Sequence, residues 1–272
     1  MSGFPVAWLD LREPADFAAR DKALVDRLLA WLASPDASNG AEPLVVDLGS
    51  GTGSTLRAFA RLGAPKIVWR LVDHDGALLD VALKRHRKDF LIEDYQADLT
   101  VMDELPLGGA RLVTASALFD LVSRDFVDKL VTRIKKQRAG LYAALSYDGK
   151  MSWEPAHPLD DAVLGAFNQD QLRDKGFGPA LGPEAAYYLQ QVLADSGYEV
   201  VTAESPWRLA ASDAALTADL VRGISAAVSV GYGLDAIELK NWETFRLAHA
   251  ANGSCTVGHL DILALPTSSS TV

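Results

Sequence analysis

The residues with the clearest capacity for chemistry lie in VVDLGSGTGS, residues 45–54. Gly49, Gly51 and Gly53 alternate with Ser50 and Thr52 directly after a short apolar run, and Leu56, Phe59 and Leu62 follow at helical spacing. Glycine permits positive φ and lets a ligand touch backbone where a Cβ would clash. The N-terminus of the helix beyond the turn offers unpaired N–H groups. A phosphate-cradling P-loop requires Gly-Lys-Ser/Thr at its end; Ser54 and Thr55 stand there with no lysine, which excludes it. The dinucleotide fingerprint G-x-G-x-x-G requires glycine where the chain has Ser54, so that match is partial.

Three carboxylates bear on a third ligand, S-adenosylmethionine, which carries an ammonium and no phosphate. Asp47, two residues before Gly49, repels a pyrophosphate and suits a positively charged amino-acid end. Asp73 closes a second apolar run, residues 67–72, where the ribose of either a dinucleotide or S-adenosylmethionine would be gripped. Asp98, followed by Leu99, supplies an acceptor for the adenine amine and an apolar cover for the ring. This order resembles the class I S-adenosylmethionine-dependent methyltransferases: D-x-G-x-G-x-G, an acid after strand two, Ala-Asp-Leu after strand three. LQQVLADSGYEVV (189–201) is similar to the unit that enters that family's sixth strand. The resemblance covers residues 43–147 well and 184–204 and 257–265 moderately. It implies that Asp47 and the turn Gly49, Ser50, Gly51, Thr52, Gly53 hold the methionine end. Asp73 then takes the ribose and Asp98 with Leu99 the adenine. His74 lies against the adenine face, and Ser116 lines the sulfonium end. It also implies an N-terminal helix over the cofactor, with Arg20 paired either to the methionine carboxylate or to a surface acid.

These residues need a sheet to position them. Short apolar runs at 44–48, 67–72, 94–97, 111–119, 140–147, 198–203 and 259–265 alternate with amphipathic stretches, the pattern of a parallel α/β sheet. The expected fold is α/β, a doubly wound, mostly parallel seven-stranded sheet with helical insertions. We read residues 1–272 as a single domain: a helical extension at 1–41, a cofactor-binding core at 42–147, and insertions at 148–183 and 204–256. Leu24, Leu28, Leu29 and Leu32 place one face of the extension against the core. Residues 148–183 lose all periodicity and read as an irregular acceptor-binding stretch, with Asn168, Arg173, Lys175 and Phe177 as its candidate contacts.

Methyl transfer to a hydroxyl or an ammonium calls for a base. Tyr147, Asp148 and His157, at or beyond the end of the fifth strand, are the candidates. The reading is a methyltransferase acting on O or N of a small molecule, with S-adenosylhomocysteine as the other product. A catalytically silent S-adenosylmethionine-binding protein and an NAD-dependent oxidoreductase are the alternatives. The 26 basic against 36 acidic residues give a net charge of −10, which disfavours nucleic acid. The basic groups at 84–88 and 129–138 fall late in helices and read as solvated helix ends. No Asn/Asp-Pro-Pro-Tyr motif follows strand four, and a lone Cys255 and five scattered histidines give no metal-ligand spacing. With no apolar run long enough for a membrane and no secretory signal pattern, a cytoplasmic location is expected. Oligomeric state is not legible.

Overall fold

A computed structural model describes residues 4–34 and 42–267. Its centre is a sheet of eight strands: β1 (Leu44–Leu48), β2 (Val68–Asp73), β3 (Leu91–Gln96), β4 (Leu112–Ser116), β5 (Gly140–Glu154), β6 (Tyr198–Glu204), β7 (Trp207–Leu209) and β8 (Ser254–Pro266). The order is β3-β2-β1-β4-β5-β8-β6, with β7 also pairing β8. β1 to β5 pair in parallel, and β8 runs antiparallel between β5 and β6. The expected doubly wound, mostly parallel sheet is present, with one strand more than the sequence indicated. That strand, β7, has three residues, too few for a period-two pattern to register.

Helices cover both faces. α1 (Val6–Ala19), α2 (Lys22–Leu32), α3 (Ser54–Arg61) and α4 (Gly76–His86) precede β3, and α5 (Arg124–Gln137) joins β4 to β5. α6 (Asp160–Gln171) and α7 (Ala185–Asp195) follow β5, and α8 (Ala214–Val228) and α9 (Ala236–His249) lie between β7 and β8. On one face Phe126, Leu130 and Ile134 of α5 and Leu189 and Leu193 of α7 pack on Val113, Leu141 and Ile262. On the other, Leu24, Leu28 and Leu32 of α2 and Leu56 and Phe59 of α3 pack on Val45, Trp69 and Tyr142. Strands buried on both sides explain why the core runs read as continuous rather than alternating.

The departures lie at the edges. β3 begins three residues earlier than its sequence signal, because it is an edge strand whose residues are mostly solvent-exposed. Much of the stretch 148–183 is regular, and the irregular part is confined to 155–159 and 172–181. β5 continues to Glu154 and α6 follows, with only Val163, Ala166 and Asp170 buried, too few to print a helical period. β8 starts at Ser254 to match, so the two strands run on as a ribbon beyond the parallel sheet, down to Glu154↔Ser254. α6, α8 and α9 hang on that ribbon around Val221, Ile224 and Trp242. Arg246 pairs with Asp160 at the α6 N-terminus, where Trp242 Nε1 also donates at 2.8 Å.

Where α9 turns into β8, a Cβ on Gly253 would lie 2.4 Å from the Glu154 carbonyl, whereas one on Gly165 within α6 meets nothing. Gly253→Ala is therefore expected to lower stability by about 1–3 kcal/mol. Gly165→Ala should raise it by roughly 0.5–1 kcal/mol. Urea unfolding of both variants checks this; equal effects would refute the packed junction.

Candidate cofactor cleft at the strand carboxyl ends

The turn after β1 is built from positive-φ glycines, Gly49 (67°), Gly51 (52°) and Gly53 (84°), conformations that L side chains adopt only with strain. Gly49 and Ser50 donate to the Val72 carbonyl, which seats the turn on β2. Asp73 completes the attachment: one carboxylate oxygen accepts from the Gly51 N–H at 2.8 Å and the other from the Asp75 N–H at 3.0 Å.

Beside this turn lies a cleft of about 640 Å³, within the range of small-molecule sites. Gly49, Gly51, Asp73, His74, Asp98, Leu99 and Ser116, all singled out from the sequence, stand on its wall. Leu78, Leu118, Leu121 and Phe177 make the wall largely apolar, and Phe4, Leu9 and Arg12 of the N-terminal segment close it from above. Asp98 is exposed, and the backbone and hydroxyl of Thr100 hold its carboxyl below the usual range. A smaller alcove of about 50 Å³ adjoins the cleft, lined by Arg12, Asp16, Ser50, Thr52, Thr55 and Ser116.

Asp47 and Arg20 sit elsewhere. Asp47 is buried beneath the turn, not on the wall; one oxygen accepts from Thr114 Oγ1 at 2.7 Å and the other has no hydrogen-bond partner among the described residues. Desolvation pushes its carboxyl up to about 6, opposed by Thr114 and Arg20. Arg20 is neither a surface ion pair nor a wall residue. It is buried, donates to Ser116 Oγ at 2.7 Å and to the Tyr142 hydroxyl at 3.4 Å, and supplies the positive charge facing Asp261. Asp261 in turn accepts from Tyr142 Oη and from the Leu145 N–H. Arg20 thus neutralises buried acid within the core, a placement no local pattern could reveal.

The three candidate bases do not line the cleft. Tyr147 is buried with its hydroxyl donating to Asn168 Oδ1 at 2.8 Å, and burial drives its pKa well above the ordinary range. Asp148 faces a separate cavity of about 230 Å³ with Lys150 and His259. His157 caps the start of α6, accepting from the Leu159 N–H and packing on Phe245, so it is a structural residue of the insertion. Among the expected acceptor contacts, Phe177 lines the cleft and stacks edge-to-face on Phe126. Asn168 accepts from Tyr147 and donates to the Gly149 carbonyl, and it does not line the cleft. Arg173 and Lys175 both pair with Asp170, at 3.3 and 2.7 Å, and Asp170 also accepts from Tyr232. The charge expected to face an acceptor is met locally.

Three groups outside the expected site residues stand out in the structure. Arg12 makes two hydrogen bonds to Asp16, at 2.8 and 3.1 Å, and lies over the Trp207 ring, whose Nε1 donates to Asp16 at 2.9 Å. This joins α1, at i and i+4, to β7 of the second insertion. His259 is buried near Trp207 and Tyr147, and desolvation and Arg12 lower its pKa to about 4. Asp120 follows β4 and is buried, and its Oδ1 has no hydrogen-bond partner among the described residues. Only Asp120 had a signal available, its position directly after a strand's carboxyl end.

Among the described residues no cluster of His, Cys, Asp or Glu could hold a metal, and no helix is long and apolar enough to cross a membrane. No protein-family model matches the chain, and no curated protein sequence is similar to it. Solved structures do resemble it. The cyclopropane synthase MmaA2 from Mycobacterium tuberculosis superimposes with a TM-score of 0.52 at 13% identity over 96% of this chain and 94% of that one. The YcgJ protein from Bacillus subtilis gives 0.50 at 15% identity over 91% and 100%. A protein described as a methyltransferase from Bacillus halodurans gives 0.50 at 17% over 88% and 99%. At these identities the likeness is one of fold, and the fold is that of the class I methyltransferases.

Asp47 is the buried acid whose charge state is read most directly. A carboxyl held near 6 in the folded protein and near 3.8 when unfolded favours folding fully below pH 4, and that contribution is lost as pH rises through 6. Asp47→Asn removes the loss. Relative to wild type, the variant should gain about 2 kcal/mol between pH 4 and pH 7.5. Urea titrations across that range test it; parallel stability curves would refute a perturbed Asp47.

Proposed function

We propose, with the class I methyltransferase fold as premise, that this chain binds S-adenosylmethionine in the cleft and methylates O or N of a small molecule. The observation that carries the reading is convergence. The glycine turn, Asp73, His74, Asp98 and Leu99, from three successive strand ends, meet on one wall of a cleft of suitable volume. Asp73 offers the ribose hydroxyls a carboxylate already aligned by two backbone N–H groups. Asp98 sits on the same wall for the adenine amine, with Leu99 and Leu78 as apolar cover.

The amino-acid end fits the alcove. Arg12 and Asp16 present a guanidinium and a carboxylate side by side, a match for the carboxylate and ammonium of a zwitterion. Ser116, held by Arg20, marks the boundary between alcove and cleft. Bound there, S-adenosylmethionine supplies a methyl group on a sulfonium, open to in-line displacement. The protein's share is positioning, which can contribute roughly 7–11 kcal/mol, together with water exclusion by Leu9, Leu118 and Phe177. The −10 net charge and the apolar walls support a small-molecule acceptor over a nucleic acid.

Thermal unfolding with added ligand tests the donor. S-adenosylmethionine and S-adenosylhomocysteine should stabilise the protein by about 2.7 kcal/mol at 100 times the dissociation constant, and NAD and NADP should not. Stabilisation by a dinucleotide alone would favour the oxidoreductase reading. Arg12→Ala should weaken S-adenosylmethionine at least tenfold by calorimetry, since a charged hydrogen bond is worth about 1.5–3 kcal/mol. Unchanged affinity would move the carboxylate contact elsewhere.

A further inference from the structure

The alcove beside the cleft is a seam between two elements. Leu9, Arg12 and Asp16 come to it from α1, and Gly49, Ser50, Gly51 and Thr52 from the glycine turn. The two approach closely: a Cβ on Gly51 would lie 3.2 Å from Leu9 Cδ1. Arg57, in the first turn of α3, makes a polar link across the seam. Its Nε donates to Glu13 Oε1 at 2.7 Å and its Nη2 to Glu13 Oε2, a bidentate grip on the helix that carries Arg12. Its Nη1 donates to the Thr52 carbonyl at 2.5 Å, and Nη2 reaches Thr52 Oγ1 at 3.2 Å. Nη1 also lies 2.8 Å from Nε2 of His86 in α4, which accepts as a neutral imidazole; desolvation and the Arg57 charge lower its pKa. The Arg57 and Glu13 side chains are each 14% exposed and Thr52 is buried, so solvent screens this pairing little. Arg61 stands 3.7 Å from the same carboxylate, but among the described residues no bond joins it to the turn. Asp10 pairs with Arg85 at 2.7 Å and ties α1 to α4, again not to the turn.

We infer that Arg57 is a positioning residue that clamps the roof helix onto the glycine turn and so sets the affinity for the amino-acid end of the ligand, without touching the ligand itself. This rests on the amino-acid end occupying the alcove. Glu13 follows Arg12 directly in α1, so holding Glu13 fixes where the Arg12 guanidinium stands relative to the turn. Three glycines leave the turn few side chains with which to keep its own shape, and the bond from Arg57 to the Thr52 carbonyl supplies a fixed point. The nucleoside wall is supported separately. Asp73 is also anchored by the Asp75 N–H, and Asp98 by Thr100, and neither takes a bond from Arg57. A lysine at 57 keeps the charge but lacks the planar fork that serves Glu13, Thr52 and His86 at once.

The test uses the full chain: wild type, Arg57→Lys, Glu13→Gln and the double variant. Calorimetry compares S-adenosylhomocysteine with 5′-methylthioadenosine, a nucleoside thioether that lacks the amino-acid end. Each single variant should weaken S-adenosylhomocysteine about tenfold or more and leave methylthioadenosine within about twofold. The double variant should bind S-adenosylhomocysteine no worse than the weaker single variant, because both substitutions break one clamp. Independently of any ligand, amide hydrogen exchange along α1 should be about tenfold faster or more in each single variant, with α5 and β4 unchanged. Equal loss of the two ligands makes Arg57 a general support of the fold and overturns the inference. Unchanged S-adenosylhomocysteine affinity in both single variants overturns it as well, and additive losses overturn the shared clamp. Wild type that binds neither ligand fails on the donor reading instead, and exchange along α1 still judges the clamp by itself.

Discussion

The site depends on the antiparallel pairing of β5 with β8. In the core of the sheet this pairing inserts the last strand between β5 and β6. Beyond the parallel strands it continues as a two-stranded ribbon whose backbone groups would otherwise be unpaired. A lone ribbon is marginal in water, so it is stable only with an apolar cover. α6, α8 and α9 supply that cover around Trp242, and β7 adds a third strand on the β8 side. The insertions are therefore the packing that an overlong strand pair requires.

That scaffold reaches the cleft through one cluster. Trp207 of β7 donates to Asp16 and stacks under Arg12, while Trp8, Leu11 and Ala15 pack on Leu209, Leu216 and Val257. The N-terminal helix that roofs the cleft is thus held by the second insertion, some 190 residues away in the chain, as the Trp207–Asp16 separation of 191 records.

Charge under the floor follows the same economy. Asp47 and Asp261 are both buried and face the Arg20 cation, with Thr114 donating to Asp47, Tyr142 donating to Asp261 and Ser116 accepting from Arg20. The guanidinium fork suits such a network because it offers several donors in fixed geometry. Ser116 is held from below by this network while its residue lines the cleft above.

The local sequence determined the parallel core, the glycine turn and the strand-end residues Asp73, His74, Asp98 and Leu99. Each depends on a signal carried within a few residues: an apolar run buried on both faces, a positive φ, an acid where a strand stops. β3 was harder to place because an edge strand has no buried face to print a pattern, and α6 because it buries little. The placements of Arg20 and Arg12, and the exclusion of Tyr147, Asp148 and His157 from the cleft wall, were decided by tertiary structure alone. Arg20 meets Tyr142 from 122 residues away, and Arg12 needs Trp207 to hold its partner Asp16. Charge pairing and desolvation act through space, so a residue's neighbours in sequence cannot tell whether an arginine faces water, a ligand or a buried acid.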